Sequence, residues 1–451
     1  MLGWFAPKCP LGTYEKTWTE WRMCWLAEKL GLERLLEAEV ILPTDEYFPE
    51  MYDGTADDAQ RIMDQLCDVM GLDAGKLQME IVPDEQMPEA TGEYHGGKQP
   101  LIRVKESQLL SPERLTATLA HELAHEILLG GGLLTDDVPD HEWITDLLPA
   151  YLGLGIFAAN SVMYENYWTT GQLSYWQMGK QGYLPARIFG YAFALFCYMR
   201  REDVPDWLKF LRLDAANALQ AGQRYLVHSE DTLFHPDAIR QAGKPPSLGE
   251  LTERLTNRSA SVRLGALWEL KQQGPAAAQA VPATLRCLQD RDPEIPGEAA
   301  MTLAALGPAA AAGAPELRRL LWHAVPTTRK CAAYALGVLH ADPEKDIPEL
   351  IASLRDDNPG VLESVSGALL QYGEPAEVAV PRLLEVLGRA LVNCEHALVE
   401  SVLTTLSAID ADVEQRVADR FEDDPELRDL ALTVLQEQRE AASPDDADPE
   451  P

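Results

Sequence analysis

The feature that most constrains what this chain can fold into is a 33-residue period in its C-terminal half. Pro282, Pro315, Pro348 and Pro381 are evenly spaced at that interval, and each opens an apolar segment (PATLRCL, PELRRLL, PELIASL, PRLLEVL). Leu270, Leu303, Leu336 and Leu369 keep the same period, as do Pro293, Pro326 and Pro359 in the turns RDPE, AVPT and DNPG. Proline at the first helical position sacrifices no needed N–H, so each unit is expected to open a helix there. A second helix per unit is alanine-rich, as in EAAMTLAALG and KCAAYALGVL, which lets neighbouring backbones approach closely. A single helical pair cannot bury its apolar face alone, whereas stacked pairs can. The period therefore predicts an all-α solenoid of five or six helical pairs over residues 246–438.

Segments such as NRSASVRLGALWEL and DRDPEIPGEAAMTLAALG resemble HEAT repeats. Ankyrin repeats share the period, but their T-P-L-H-x-A signature is absent. The HEAT resemblance implies an extended surface for a protein partner. His323, His340 and His396 are isolated and read as structural or surface histidines. The terminal stretch REAASPDDADPEP (439–451) is acidic and poor in apolar residues, and is expected to be a disordered tail.

With 451 residues the chain exceeds one compact core, so residues 1–245 are expected to form a separate domain, its core over about 40–230. VILP (40–43), LQMEIVP (77–83) and LIRV (101–104) read as strands, and DDAQRIMDQLCDVMGL (57–72) as an amphipathic helix. Residues 84–100, containing GEYHGGK, read as a loop. This small α+β layer leads into a bounded helix, with Ser111 as N-cap, Pro112 at the first position and Gly130–Gly131–Gly132 at the end. Inside it lies HELAHE (121–126). His121 and His125, four residues apart, project from one face, and two such imidazoles can ligate one zinc ion. Glu122 is suited to take a proton from water activated there.

A third ligand must come from elsewhere. The metzincin pattern is excluded, because it would need Gly and His where Leu128 and Gly131 stand. In DVPDHEWITDLLPAYLGLG, Asp140 is a possible N-cap, and Glu142 and Asp146 stand four apart on one helical face. Over roughly residues 75–160 the pattern H-E-x-x-H…E-x-x-x-D resembles the gluzincins, thermolysin-like zinc metallopeptidases. That resemblance implies a zincin-like, mostly helical α+β domain. It also implies zinc held by His121, His125 and Glu142, Glu122 as general base, and Asp146 orienting a ligating histidine. His141 points about 100° away from Glu142 on a helix, so only one of the two is expected to face the metal. Glu126 is expected to be solvated or paired. Asp136, Asp137 and Asp140 read as a solvated acidic loop, with a secondary cation site left open. Tyr191 and His228 are candidate oxyanion donors, against core packing for the first and a surface place for the second.

Charge excludes one large class of function. With 38 Lys+Arg against 72 Asp+Glu, net −34, the chain has no basic field for tracking phosphates, so no nucleic-acid partner is expected. Seven cysteines occur singly with no C-x-x-C spacing, which suits a reducing compartment, and a cytoplasmic location is expected. No apolar core of signal-peptide length opens the sequence. The apolar runs Leu147–Ala159 and Ile188–Met199 fall short of the roughly 20 residues needed to span a bilayer, and read as buried helices. Together these readings predict a zinc-dependent metallopeptidase acting on peptide or protein substrates, its repeats recruiting a partner. The alternative is a zinc-binding interaction scaffold without turnover.

Overall fold

In the computed structural model the described residues are 6–48, 52–88, 90–161, 164–170, 173–179, 184–235 and 246–442. They fall into two units, Met1–Pro245 and Pro246–Pro451.

The first unit is built mostly from helices. α1 (Thr13–Leu30) and α2 (Leu32–Leu36) meet at Gly31. α3 (Ala56–Met70) starts with a capping box in which Thr55 and Asp58 satisfy each other's end of the helix. β1 (Gln78–Val82), β2 (Gly92–His95) and β3 (Leu101–Lys105) form a sheet of order β1-β3-β2, parallel between β1 and β3 and antiparallel between β2 and β3. Ile102 and Val104 alternate into the core on β3, fully buried. α4 (Pro112–His125) packs on β2 and β3 and contacts α5 (His141–Tyr151) and α6 (Gly155–Ser161). A separate hairpin of β4 (Tyr164–Thr170) and β5 (Leu173–Gly179) follows. α7 (Ala186–Arg200) is buried nearly along its whole length and packs on α8 (Leu213–Ser229). Gly190 sets that approach, since a Cβ there would lie 2.3 Å from the Ala215 carbonyl oxygen.

Two expectations fail here. VILP is not a strand; Ile41 makes a single backbone bond, its N–H donating to the Gly153 carbonyl at 3.0 Å. Residues 84–100 are not all loop, because GEYH forms β2. Its glycine weakens the alternation that marks a strand, and pairing with β3 and packing against α4 hold it in place.

The second unit is an array of six consecutive helical pairs among the described residues, running from Leu248–Arg254 to Pro425–Ala442. Leu270, Leu303, Leu336 and Leu369 are all fully buried in one continuous core, which explains the period. Pro282, Pro315 and Pro381 lie in the first turn of their helices. Pro348 departs from that expectation and sits inside Pro343–Ser353, because Pro343 already supplies a favourable start one turn earlier. Within this helix Asp346 is fully buried and ionically paired with Arg318. It also lies 2.9 Å from the Tyr372 hydroxyl and accepts the Asp342 N–H at 3.0 Å. Of the expected tail, residues 439–442 belong to the last helix, which runs to Ala442, and 443–451 lie outside the described residues. None of the described helices is long and apolar enough to cross a membrane.

Leu336→Ala should destabilise the array by about 2–5 kcal/mol, the usual cost of emptying a fully buried leucine site. Urea unfolding of the full chain checks this; an unchanged midpoint would mean that the periodic leucines do not carry the array.

Candidate metal centre

α4 begins where the sequence said it should. Ser111 Oγ accepts the Arg114 N–H at 3.3 Å, and Pro112 occupies the first turn. The regular helix then stops at His125, and Glu126–Gly130 widen into a π-turn before Gly131. Such turns are often found at functional sites. Here it follows the two histidines directly, so the glycine run ends the turn and not the α-helix proper.

The structure brings together His121, His125 and Glu142, with one ligand atom from each lying within 4.8 Å of the others. Glu142 Oε2 is 3.3 Å from His121 Nε2 and 3.5 Å from His125 Nε2. Tetrahedral ligands about 2.05 Å from zinc stand roughly 3.3–3.4 Å apart, so these spacings match that geometry. The same Oε2 is buried and accepts no hydrogen bond. A buried carboxylate oxygen left so is costly unless a cation meets it.

The outer nitrogens explain why both rings present Nε2. His121 Nδ1 is 2.8 Å from Asp146 Oδ1, and Asp146 Oδ2 accepts the Leu184 N–H at 2.9 Å. His125 Nδ1 makes a longer contact, 3.5 Å, with Thr145 Oγ1, whose own proton goes to the His141 carbonyl at 2.9 Å. With Nδ1 of each ring committed outward, both Nε2 atoms are left facing Glu142 Oε2. Burial opposes a charged His121, but the carboxylates of Asp146 and Glu142 beside its two nitrogens outweigh it and hold its pKa well above the ordinary value. Burial likewise opposes an ionised Glu142, yet His121 and His125 hold its carboxyl far below the usual range. This donor set, two imidazoles and one carboxylate, suits zinc.

Glu122 lies on the same helix, buried. Burial pushes its carboxyl upward, opposed by the charges of His121 and His125 and reinforced by Glu142 and Glu93. Strand β2 lies against it closely, since a Cβ on Gly92 would come within 2.6 Å of both Glu122 Oε1 and Thr118 Cγ2.

Other candidates are placed as follows. His141 does not turn away from Glu142: its Nε2 is 3.2 Å from Glu142 Oε1, with Nδ1 2.9 Å from the Val138 carbonyl. Helical spacing fixes only the Cβ directions, and long side chains in a first turn can still converge. Glu126 is paired, accepting the Tyr94 hydroxyl at 2.5 Å. Asp136 and Asp137 are exposed, whereas Asp140 is half-buried and bonded to Arg22 and Trp18. Tyr191 is fully buried and its hydroxyl donates to Glu20 at 2.6 Å, outside the trio's own bonding. His228 is exposed in the last turn of α8. Sequence reading missed Tyr94, whose ring stacks 6.1 Å from that of His125; it sits in the stretch that read as loop.

The family comparison addresses the second unit. The family model described as HEAT repeats matches residues 248–337. No curated protein matches the chain. Among solved structures, two engineered proteins of the Northeast Structural Genomics Consortium are 20% and 18% identical to this chain. They cover 44% and 43% of it and 98% of their own length, with TM-scores of 0.33 and 0.34. A third engineered protein from the same consortium is 16% identical and covers 74% of this chain and 97% of its own, with a TM-score of 0.34. Likeness of this degree says nothing about activity.

If the trio takes a metal ion, the proton that His121 holds at neutral pH must leave. Zinc added to the metal-free protein at pH 7 should release about one proton per ion bound. A pH-stat titration measures this; binding without proton release would contradict the arrangement of His121.

Proposed function

We propose that the first unit is a zinc-dependent peptidase of the gluzincin kind, and that the repeat array recruits a protein partner or substrate. The observation that carries this reading is Glu142 Oε2, buried and without a hydrogen bond, facing the Nε2 atoms of His121 and His125, which flank Glu122 on α4. His121, His125 and Glu142 would hold the ion. Bound there, zinc supplies Lewis acidity that makes water acidic enough to ionise near neutral pH. Glu122 is the proton carrier: it accepts the proton from water and passes it to the leaving amine of the cleaved peptide bond. Its upward shift, from burial first, keeps proton transfer in both directions within reach. Asp146 keeps His121 in the tautomer that points Nε2 inward.

The edge of β2 away from β3 supports the choice of a peptide substrate. It has no strand partner among the described residues, and Gly92 on it touches Glu122. An extended peptide backbone adds to such an edge by main-chain hydrogen bonds. Tyr94 and His141, flanking the His125 ring at 6.1 Å and 6.3 Å, are the candidates to meet the developing oxyanion. Tyr191 and His228 are given up for that role.

Glu122→Gln should keep the zinc and lower peptide cleavage by about 10²-fold or more. Cleavage at the wild-type rate in a zinc-replete Glu122→Gln protein would defeat the mechanism. A second reading, a zinc-holding scaffold without turnover, draws on the HEAT-repeat match and on His141 standing 3.2 Å from Glu142. A fourth ligand from His141 would close the site. Binding of a small hydroxamate to the zinc-loaded protein, followed by calorimetry, separates the two: the peptidase reading expects binding and the scaffold reading expects none.

A further inference from the structure

The N-terminal helix carries no member of the ligand trio, yet its side chains grip the start of the helix that carries Glu142. Asp140 is the residue before α5, and its side chain makes no cap bond of its own. Instead Arg22 Nε donates to Oδ2 at 2.8 Å, Arg22 Nη2 to Oδ1 at 2.6 Å, and Trp18 Nε1 to Oδ2 at 2.7 Å. The Trp18 ring meets Trp143 edge-on, 5.2 Å between centroids, so the grip extends past Glu142 on its other side. Arg22 is 8% exposed, and its guanidinium rests 4.5 Å from the Trp21 ring centre.

These contacts also dispose of a secondary cation site at Asp140. Three donors, two of them from a guanidinium, already occupy most of its carboxylate, and the guanidinium charge leaves a metal cation no favourable field. The carboxylate serves instead as an anchor. The Asp140 carbonyl accepts the Ile144 N–H at 3.1 Å, the first hydrogen bond of α5, so fixing Asp140 fixes the first turn. Glu142 is in that turn. Its Oε1 is steadied by His141 Nε2 and its Oε2 is turned to the two Nε2 atoms.

We propose that Arg22 and Trp18 are positioning residues for Glu142, acting through Asp140, so that metal affinity depends on a helix more than a hundred residues upstream of the ligand. The inference rests on the metal-binding reading above. It follows from the physics of a first turn: its N–H groups have no partners within the helix, so contacts from outside help to fix its orientation. A bidentate arginine and an indole N–H supply orientation as well as attraction.

The test is zinc affinity of the full chain, measured by competition with a chromophoric chelator, together with the visible spectrum of the Co²⁺-loaded protein. Trp18→Phe keeps an aromatic ring against Trp143 and removes only the N–H. It should weaken zinc binding several-fold and alter the Co²⁺ bands while circular dichroism stays unchanged. Arg22→Ala should weaken it by about 10-fold or more, the usual scale for residues that orient a ligand, and Arg22→Lys should recover part of the loss. If Arg22→Ala fails to fold, Trp18→Phe decides. Wild-type affinity and unchanged Co²⁺ bands in Trp18→Phe, with zinc lost in His125→Ala, would overturn the positioning role alone. Zinc retained in His125→Ala would instead bring down the metal site itself, and this inference with it.

Discussion

A single buried carboxylate, Asp146, ties the site to the fold. One oxygen bonds His121 on α4 and the other accepts the Leu184 N–H just before α7, while Asp146 itself sits on α5. Removing a charged carboxylate from water is expensive unless it is fully hydrogen-bonded, so the three elements must arrive together for any of them to be placed well. The ring orientation of His121, the approach of α5 to α4, and hence the distance from Glu142 to both imidazoles all follow from that one anchor. Its counterpart at the other end of α5's first turn is Asp140, held by Arg22 and Trp18.

The two units obey different rules. In the array, stability comes from repetition: the same leucine position is buried four times, and each pair packs on its neighbours in one continuous core. Some polar anchors keep the period too, since Arg263 with Asp290 and Arg329 with Asp356 make the same bidentate pair two repeats apart. In the first unit nothing repeats. Its order comes from unlike contacts, an all-but-buried α7, a small sheet, and buried ions paired one by one, as Lys16 is with Glu20. A fold of that kind leaves less trace in sequence than a period does.

That difference sets what could be read from residues alone. The helical array was legible because periodicity records burial directly. His121 and His125 could be singled out because helical spacing of four puts side chains on one face, Glu142 and Asp146 because the pattern resembles the gluzincins, and the structure brings those four together. The short strand β2 was not legible, since four residues with a glycine carry too little pattern, and Tyr94 was hidden with it. Of His141 and Glu142 only Glu142 joins the trio, but the contact between the two was not legible, because spacing gives a direction for Cβ and not for the ring nitrogen. Asp140 read as a solvated acid because its partners lie 118 and 122 residues away, beyond any local pattern.

The central claim is that His121, His125 and Glu142 form one metal site. Metal analysis of the purified wild type beside His125→Ala tests it most directly. The account predicts about one zinc per wild-type chain and a severe loss in the variant, because structural and catalytic zinc sites need at least three protein ligands. A His125→Ala protein that keeps its full complement of zinc would contradict it.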